Sequence, residues 1–249
     1  MNEYKNLGIN VKIGNYCDIS SDVIIGNDSV IHSRVTISSD VVIGDNVVIH
    51  PNVVINSGVK IMSGVEIFPG AYIGKEPKGA GAVSRPLNFE KKVLIKENTS
   101  IGPNSVIFYD VEIGNNTLIG DGVSIRENCK VGSYCLIGRY VTLNYNSTIG
   151  DRTKIMDLTH ITGNCKVGND VFISTGVSTV NDNNMGKEGY VGEKMSGPMI
   201  EDGATIGAGA VILPNVHIKS NAIVGSGSVV TKDVRENAKV MGIPAKEKI

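Results

Sequence analysis

Isoleucine recurs at every sixth residue from Ile13 to Ile73, and Leu7 extends the series backward. A second series runs from Ile95 to Ile173 with Ile, Val or Leu at each sixth place, and a third runs from Ile200 to Val230. The three runs hold 12, 14 and 6 hexads, 32 in all. Four residues after each large aliphatic stands a small residue, such as Cys17, Val23, Ser29, Thr99, Ser105 or Ala204. The next aliphatic follows two places later, so both side chains point the same way, as in a strand. The residue before the small one is often Asn, Asp or Gly, as at Asn46, Asn52, Gly58, Asn104, Gly122 and Asn128. These types tolerate a left-handed corner. Each hexad therefore predicts a short strand and a corner.

Three such sides close a triangular coil of eighteen residues. The pattern predicts an all-β fold, a parallel β-helix of about ten coils and a rod of about 50 Å. No window shows a 3.6-residue period, which excludes a helical solenoid. Handedness does not follow from the period, and the general crossover rule favours a right-handed coil. The expected organisation is a repeat domain over 1–234, with ejected loops at 74–94 and 179–199, and a short C-terminal tail over 235–249.

Composition narrows the partners. The formal net charge is −1, and no basic tail is present, which argues against nucleic acid. No apolar run is long enough to span a membrane, and the start "MNEYKNLGIN" does not read as a signal peptide, so a cytoplasmic protein is expected. Cys17, Cys129, Cys135 and Cys165 all fall on the small inward position, where cysteine serves as a small hydrophobe. They form no CxxC pair, and no metal is expected. Aromatic residues make up 5% and Trp is absent, in keeping with a prism too narrow for large rings.

Long loops inside a regular scaffold are usually functional or disordered. The first, "GKEPKGAGAVSRPLNFEKKVL", carries Lys75, Lys78, Arg85, Lys91 and Lys92 against Glu76 and Glu90, a positive excess of three. That excess suits a phosphorylated ligand, with Lys78, Arg85 and Lys91 as its contacts. The alternative is a solvated excursion with no ligand. The second loop, "TVNDNNMGKEGYVGEKMSGPM", has no such excess.

The four histidines supply the candidate bases. His32 and His50 lie one coil apart and are expected to stack on one face. A stacked pair can share a metal, but a surface ladder is the simpler account. His160 follows the inward Thr159 and so points outward, with Asp157 three residues before it, placed to orient it. The same phase puts His217 outward. A histidine with a pKa of about 6.5 takes a proton at neutral pH. His160 is thus the candidate base, against the alternative of an exposed or interface-packed histidine with no role. A nucleophile such as a neutral amine also reacts without a base, through orientation alone.

The hexads "IGNDSV", "IGDNVV", "IGNNTL" and "IGAGAV" resemble those of the hexapeptide-repeat acyltransferase superfamily. The resemblance implies a left-handed coil and a homotrimer with active sites between subunits. "VFISTGVSTVND" is similar to the "VF(I/V)GPxVxFTND" stretch of that superfamily's sugar-nucleotide N-acetyltransferases. It implies that Asn181 contacts the acceptor or cofactor near the reacting amine, with Asp182 beside it in the substrate site. The simple-sugar O-acetyltransferases carry a histidine in a "THPxD"-like stretch, where this chain reads "NNMG". The three-histidine pattern of the hexapeptide carbonic anhydrases is also missing. The ending "VMGIPAK" is similar to the family's "VxGxPAK". It implies that the pantetheine arm of coenzyme A runs along the third run of hexads, beside Ala208, Gly209, Ser226, Gly227, Lys232, Pro244 and Lys246. Lys232 and Lys246 would meet its phosphates. Alternatively, Ala and Gly there only let subunits pack closely. The resulting expectation is an acetyl-CoA-dependent N-acetyltransferase acting on a dTDP- or UDP-linked amino sugar for a surface glycan. A sugar O-acetyltransferase and a non-catalytic β-helix scaffold are the alternatives.

Overall fold

The computed structural model describes residues 6–82, 85–184, 186–187 and 195–247. Among these residues every regular element is a strand, most of them two residues long. Successive strands fall in turn on three parallel sheets, the faces of a prism. The first face starts with Asn6–Leu7, the second with Lys12–Ile13 and the third with Asp18–Ile19. Each strand of the prism pairs with the third strand after it, eighteen residues on wherever no excursion intervenes, as Leu7 does with Ile25 and Ile13 with Ile31. The β-helix read from the sequence is therefore present, consistent with the left-handed coil that the resemblance implies.

The faces hold 11, 13 and 11 strands, so eleven coils are complete, against the expected ten or so. The extra hexad is Ser178–Thr179, which the expected loop boundary had excluded. Thr179 occupies an aliphatic position and is only 2% exposed. It fits because its hydroxyl is paired: the amide of Thr162 donates to Oγ1 at 2.7 Å, and Oγ1 donates to the His160 carbonyl at 3.2 Å. The first loop is also shorter than expected, since strands Tyr72–Lys75 and Val93–Ile95 flank it.

The core is a column of isoleucines, from Ile25 through Ile107 nearly all fully buried. The small inward position accepts Ser, Thr or Cys because each has a donor within reach of a carbonyl one coil on. Thr99 Oγ1 donates to Gly114 O at 2.7 Å, and Cys129 Sγ lies 3.0 Å from Asn144 O. Cys129 and Cys165 are deeply buried, and burial pushes their thiols up to about 12. They stay protonated and unreactive.

Left-handed backbone marks the corners, mostly at Asn, Asp and Gly. The tail re-enters the fold. Lys239–Met241 pairs in parallel with Ile223–Val224, and Lys246–Glu247 folds back on it antiparallel. His32 and His50 stack as expected, with ring centroids 5.1 Å apart, and Phe68 continues the ladder at 4.8 Å from His50.

Candidate functional site

Both excursions leave the prism at the same corner, between the third face and the first. The first follows Tyr72–Lys75 and the second follows Ser178–Thr179, five coils further along. Between these exits one corner position carries Tyr109, Glu127, Tyr145, Gly163 and Asn181 in successive coils. In the coils before the first exit the same position carries Ser21, Ser39 and Ser57, so the tyrosines and Glu127 depart from the ordinary corner. The sequence reading missed all of this ladder except Asn181. The five residues lie eighteen apart in the sequence, but their shared corner becomes visible only once the coils are stacked.

The ladder is cemented by the first excursion. Arg85 pairs with Glu127, and its guanidinium carbon lies 3.6 Å from the Tyr145 ring centroid. Glu127 is fully buried and also accepts from Arg126 Nε at 2.9 Å. Burial alone would raise its carboxyl, but the hydrogen bonds from Arg126 and Arg85 outweigh that and hold it below the ordinary value. Phe89 covers Tyr109 with ring centroids 6.2 Å apart. One coil beyond Tyr145, a Cβ on Gly163 would stand 2.6 Å from the tyrosine ring, so only glycine fits. Asn181 Nδ2 then donates to Gly163 O at 3.2 Å and lies 3.5 Å from Tyr145 OH. With the amide N–H engaged, its Oδ1 is left to accept.

A cavity of about 450 Å³ opens over this corner. Arg85 and Asn88 wall it from the first excursion and Met195 from the second, with Asn128, Tyr145, Asn146 and Asn164 as its floor. Asp182 shapes the start of the second excursion by accepting from the amides of Asn184 at 2.7 Å and Gly186 at 2.6 Å.

The charges of the basic loop are mostly spent within the chain. Arg85 is held by Glu127, Lys91 lies 3.6 Å from Glu76, and Lys92 pairs with Glu90. Lys78 lines a separate hollow with Tyr72 and Tyr109. The structure thus brings Arg85 to the cavity, but not Lys78 or Lys91.

His160 stands on the outer surface of the third face, half-buried, beside Thr142 and Ser178. Its Nδ1 lies 2.7 Å from Thr142 Oγ1. Burial lowers its pKa from the ordinary 6.5, so it is neutral at pH 7. Asp157 does not orient it. That carboxylate turns to Arg139 instead, at 2.6 Å from Nη2 and 2.8 Å from the backbone amide. His217 is engaged by Glu201 at 2.5 Å.

The other edge of the third face is different. At the corner between the second and third faces, Gly176, Gly209 and Gly227 follow one another in the last three coils, with φ of 67°, 65° and 67°. A Cβ built on any of them meets nothing within 4 Å. Gly209 and Gly227 spend their amides on the coil behind, donating to Thr175 O at 3.0 Å and Ala208 O at 2.8 Å. What this corner offers is open space rather than free amides. Ala208 and Ser226 flank it. The tail closes its lower end, where Ala245 N donates to Val229 O at 2.8 Å, so Pro244 and Lys246 lie beside it. Lys232 does not join them, because it stands on the loop-bearing corner.

Comparison with known proteins divides the chain at these same excursions. The bacterial transferase hexapeptide (six repeats) model matches residues 5–39, 40–75 and 197–232, and the GMPPB C-terminal domain model matches 89–186. The chain carries bacterial transferase hexapeptide repeats in the three segments that flank the excursions. The bifunctional protein GlmU of Geobacillus sp. is 32% identical over 164 residues, covering 60% of this chain and 34% of that protein. The serine acetyltransferase of Buchnera aphidicola is 40% identical over 76 residues, covering 30% of this chain and 28% of that one. Among solved structures, the Arabidopsis UDP-N-acetylglucosamine acyltransferase aligns with a TM-score of 0.47 at 20% identity, covering 99% of this chain and 70% of that one. The chain spans about a third of the length of the curated GlmU relatives it matches, 34% and 36% in two of them.

Proposed function

We propose that the chain transfers an acetyl group from acetyl-CoA to the amine of a nucleotide-linked amino sugar, dTDP- or UDP-linked, for a surface glycan. One observation carries the reading. The face that bears His160 has an emptied corner on one side and, on the other, a corner built up by two excursions and ending at Asn181. The emptied corner suits a thin, extended pantetheine arm. The built corner suits a compact polar acceptor. A group transferred between the two passes across the third face.

In this mechanism the neutral amine attacks the thioester carbonyl. The N–C bond forms, the C–S bond then breaks, and the thiolate leaves with coenzyme A. The amine's proton passes to the departing thiolate or to His160 Nε2. Asn181 accepts an N–H of the amine through Oδ1 and aims its lone pair. Much of the acceleration comes from this alignment. Relatives named serine acetyltransferase and galactoside O-acetyltransferase support acyl transfer in general.

A second reading, O-acetylation of a sugar, is favoured by His160 itself. Its Nδ1 is engaged by Thr142, its imidazole is held neutral, and an alcohol needs a base more than an amine does.

A homotrimer with the site between subunits forms part of the proposal. Lys75, at the end of its strand, is the one charged outward residue on the third-face strands from Thr36 to Val229 among the described residues, while the first face presents Lys60, Glu112, Lys130 and Lys166. No helix among the described residues is long and apolar enough to cross a membrane, and a cytoplasmic location is proposed.

The test is thiol release from acetyl-CoA with a panel of dTDP- and UDP-linked amino sugars and their hydroxyl counterparts. Turnover with an amino sugar alone supports the first reading. Turnover with the hydroxyl sugar alone supports the second. Silence with no coenzyme A binding leaves a scaffold.

A further inference from the structure

The cavity over the loop-bearing corner has a lining of unusual uniformity. Asn128, Asn146 and Asn164 occupy one position in three successive coils, all with left-handed backbone at φ 60°, 57° and 62°. Asparagine also turns other corners, Asn116 among them. These three differ because both excursions close over them. Their amides are only partly used. Asn146 Nδ2 donates to Asn164 Oδ1 at 3.0 Å, Asn128 Nδ2 to Asn88 O at 2.8 Å, and Asn164 Nδ2 to Met195 O at 2.6 Å. Each primary amide has two N–H donors and an oxygen with two lone pairs, so each keeps donor and acceptor capacity toward the cavity.

From this lining we infer that the cavity holds the sugar ring of the acceptor and not its diphosphate. The inference rests on the acceptor reading above and names which part of the substrate sits here. A hydroxyl both donates and accepts, which matches an amide edge. A phosphate oxygen only accepts and would leave the asparagine oxygens facing a negative charge. Arg85 offsets that only in part, since it shares the single carboxylate of fully buried Glu127 with Arg126 and the cluster keeps one net positive charge, less than a diphosphate carries in negative charge. Tyr145 lies between Gly163 and Arg85, so it presents its hydroxyl to a ligand and not its ring face. The volume, about 450 Å³, is at the small end of ligand pockets of about 300–1,000 Å³, which suits a single ring. The diphosphate and base then extend outside the cavity.

The experiment is ligand-observed NMR of the full chain with free glucosamine as the probe and inorganic pyrophosphate as the competitor. Saturation transfer to the sugar ring protons is expected, and pyrophosphate should leave it unchanged. Asn146→Gly keeps the left-handed corner and removes the amide, and should weaken the sugar's Kd on the order of tenfold. Asn116→Gly makes the same change at a corner away from the cavity and should leave Kd unchanged. Displacement by pyrophosphate, no saturation transfer, or wild-type binding by Asn146→Gly would each overturn the inference. An inactive protein that binds glucosamine in this way defeats the proposed function alone. An active one whose acceptor KM is unmoved by Asn146→Gly defeats this inference alone.

Discussion

Two corners of one prism are built from the same repeat and end in opposite states. At the loop-bearing corner, Tyr109, Glu127, Tyr145 and Asn181 add bulk and polarity, and Arg85 ties Glu127 to Tyr145. At the other, Gly176, Gly209 and Gly227 remove everything beyond the backbone. The lesson is that a rigid solenoid acquires a site in two ways, by adding side chains at one edge and deleting them at another. The backbone changes little in either case, because its hydrogen bonds run between coils and ignore side-chain identity.

The largest effect expected from breaking this contrast is at Glu127. Glu127→Ala leaves Arg85 and Arg126 facing a void, and loss of one partner of a buried pair costs about 3–5 kcal/mol. The fall should appear in thermal denaturation. A companion prediction concerns acid. The folded-state carboxyl of Glu127 lies below its ordinary value, so its stabilising contribution is fully present above about pH 4.5. It is lost as pH falls through the depressed folded value. Glu127→Gln should flatten that acid limb in denaturation followed against pH.

Gly163→Ala comes next. The added methyl would press on the Tyr145 ring, and overpacking of this kind costs about 1–3 kcal/mol. The displaced ring should also raise the acceptor KM while leaving the KM for acetyl-CoA unchanged.

At the emptied corner the pattern should reverse. Gly209→Asn keeps a residue that tolerates left-handed backbone, so stability should move by only about 0.5 kcal/mol. Filling the open space should raise the KM for acetyl-CoA on the order of tenfold, about 1.4 kcal/mol, and spare the acceptor. Equal effects on both substrates would erase the functional distinction between the corners.

The smallest effect sharpens the comparison. If the acceptor is an amine, His160→Ala should lower kcat by less than about tenfold. A fall of about 10²–10⁴ is the size general base catalysis contributes, and would favour the alcohol acceptor. With a pKa lowered by burial, a working His160 gives an acid limb centred below the ordinary histidine value of about 6.5.

The coil was legible because one rule, a large aliphatic every six residues, repeats with few exceptions. Thr179 escaped the rule because its hydroxyl is hidden by two hydrogen bonds that no local pattern announces. His160's outward direction followed from phase, but its partner did not. Asp157 is near in sequence and faces Arg139, while Thr142, one coil away, faces the imidazole. The basic loop looked like a phosphate grip because its acidic partner Glu127 lies 42 residues on from Arg85.

The sequence by itself determined the three-sided coil, the inward and outward sense of each residue, and the two places where the chain departs. Period and alternation are local, and every hexad restates them. The tertiary structure decided that both departures leave by one corner, that Arg85 spends its charge on Glu127, and that an asparagine-lined cavity forms beneath. Those outcomes depend on how many coils separate the excursions and on the path each takes in space. Neither is written in any single hexad.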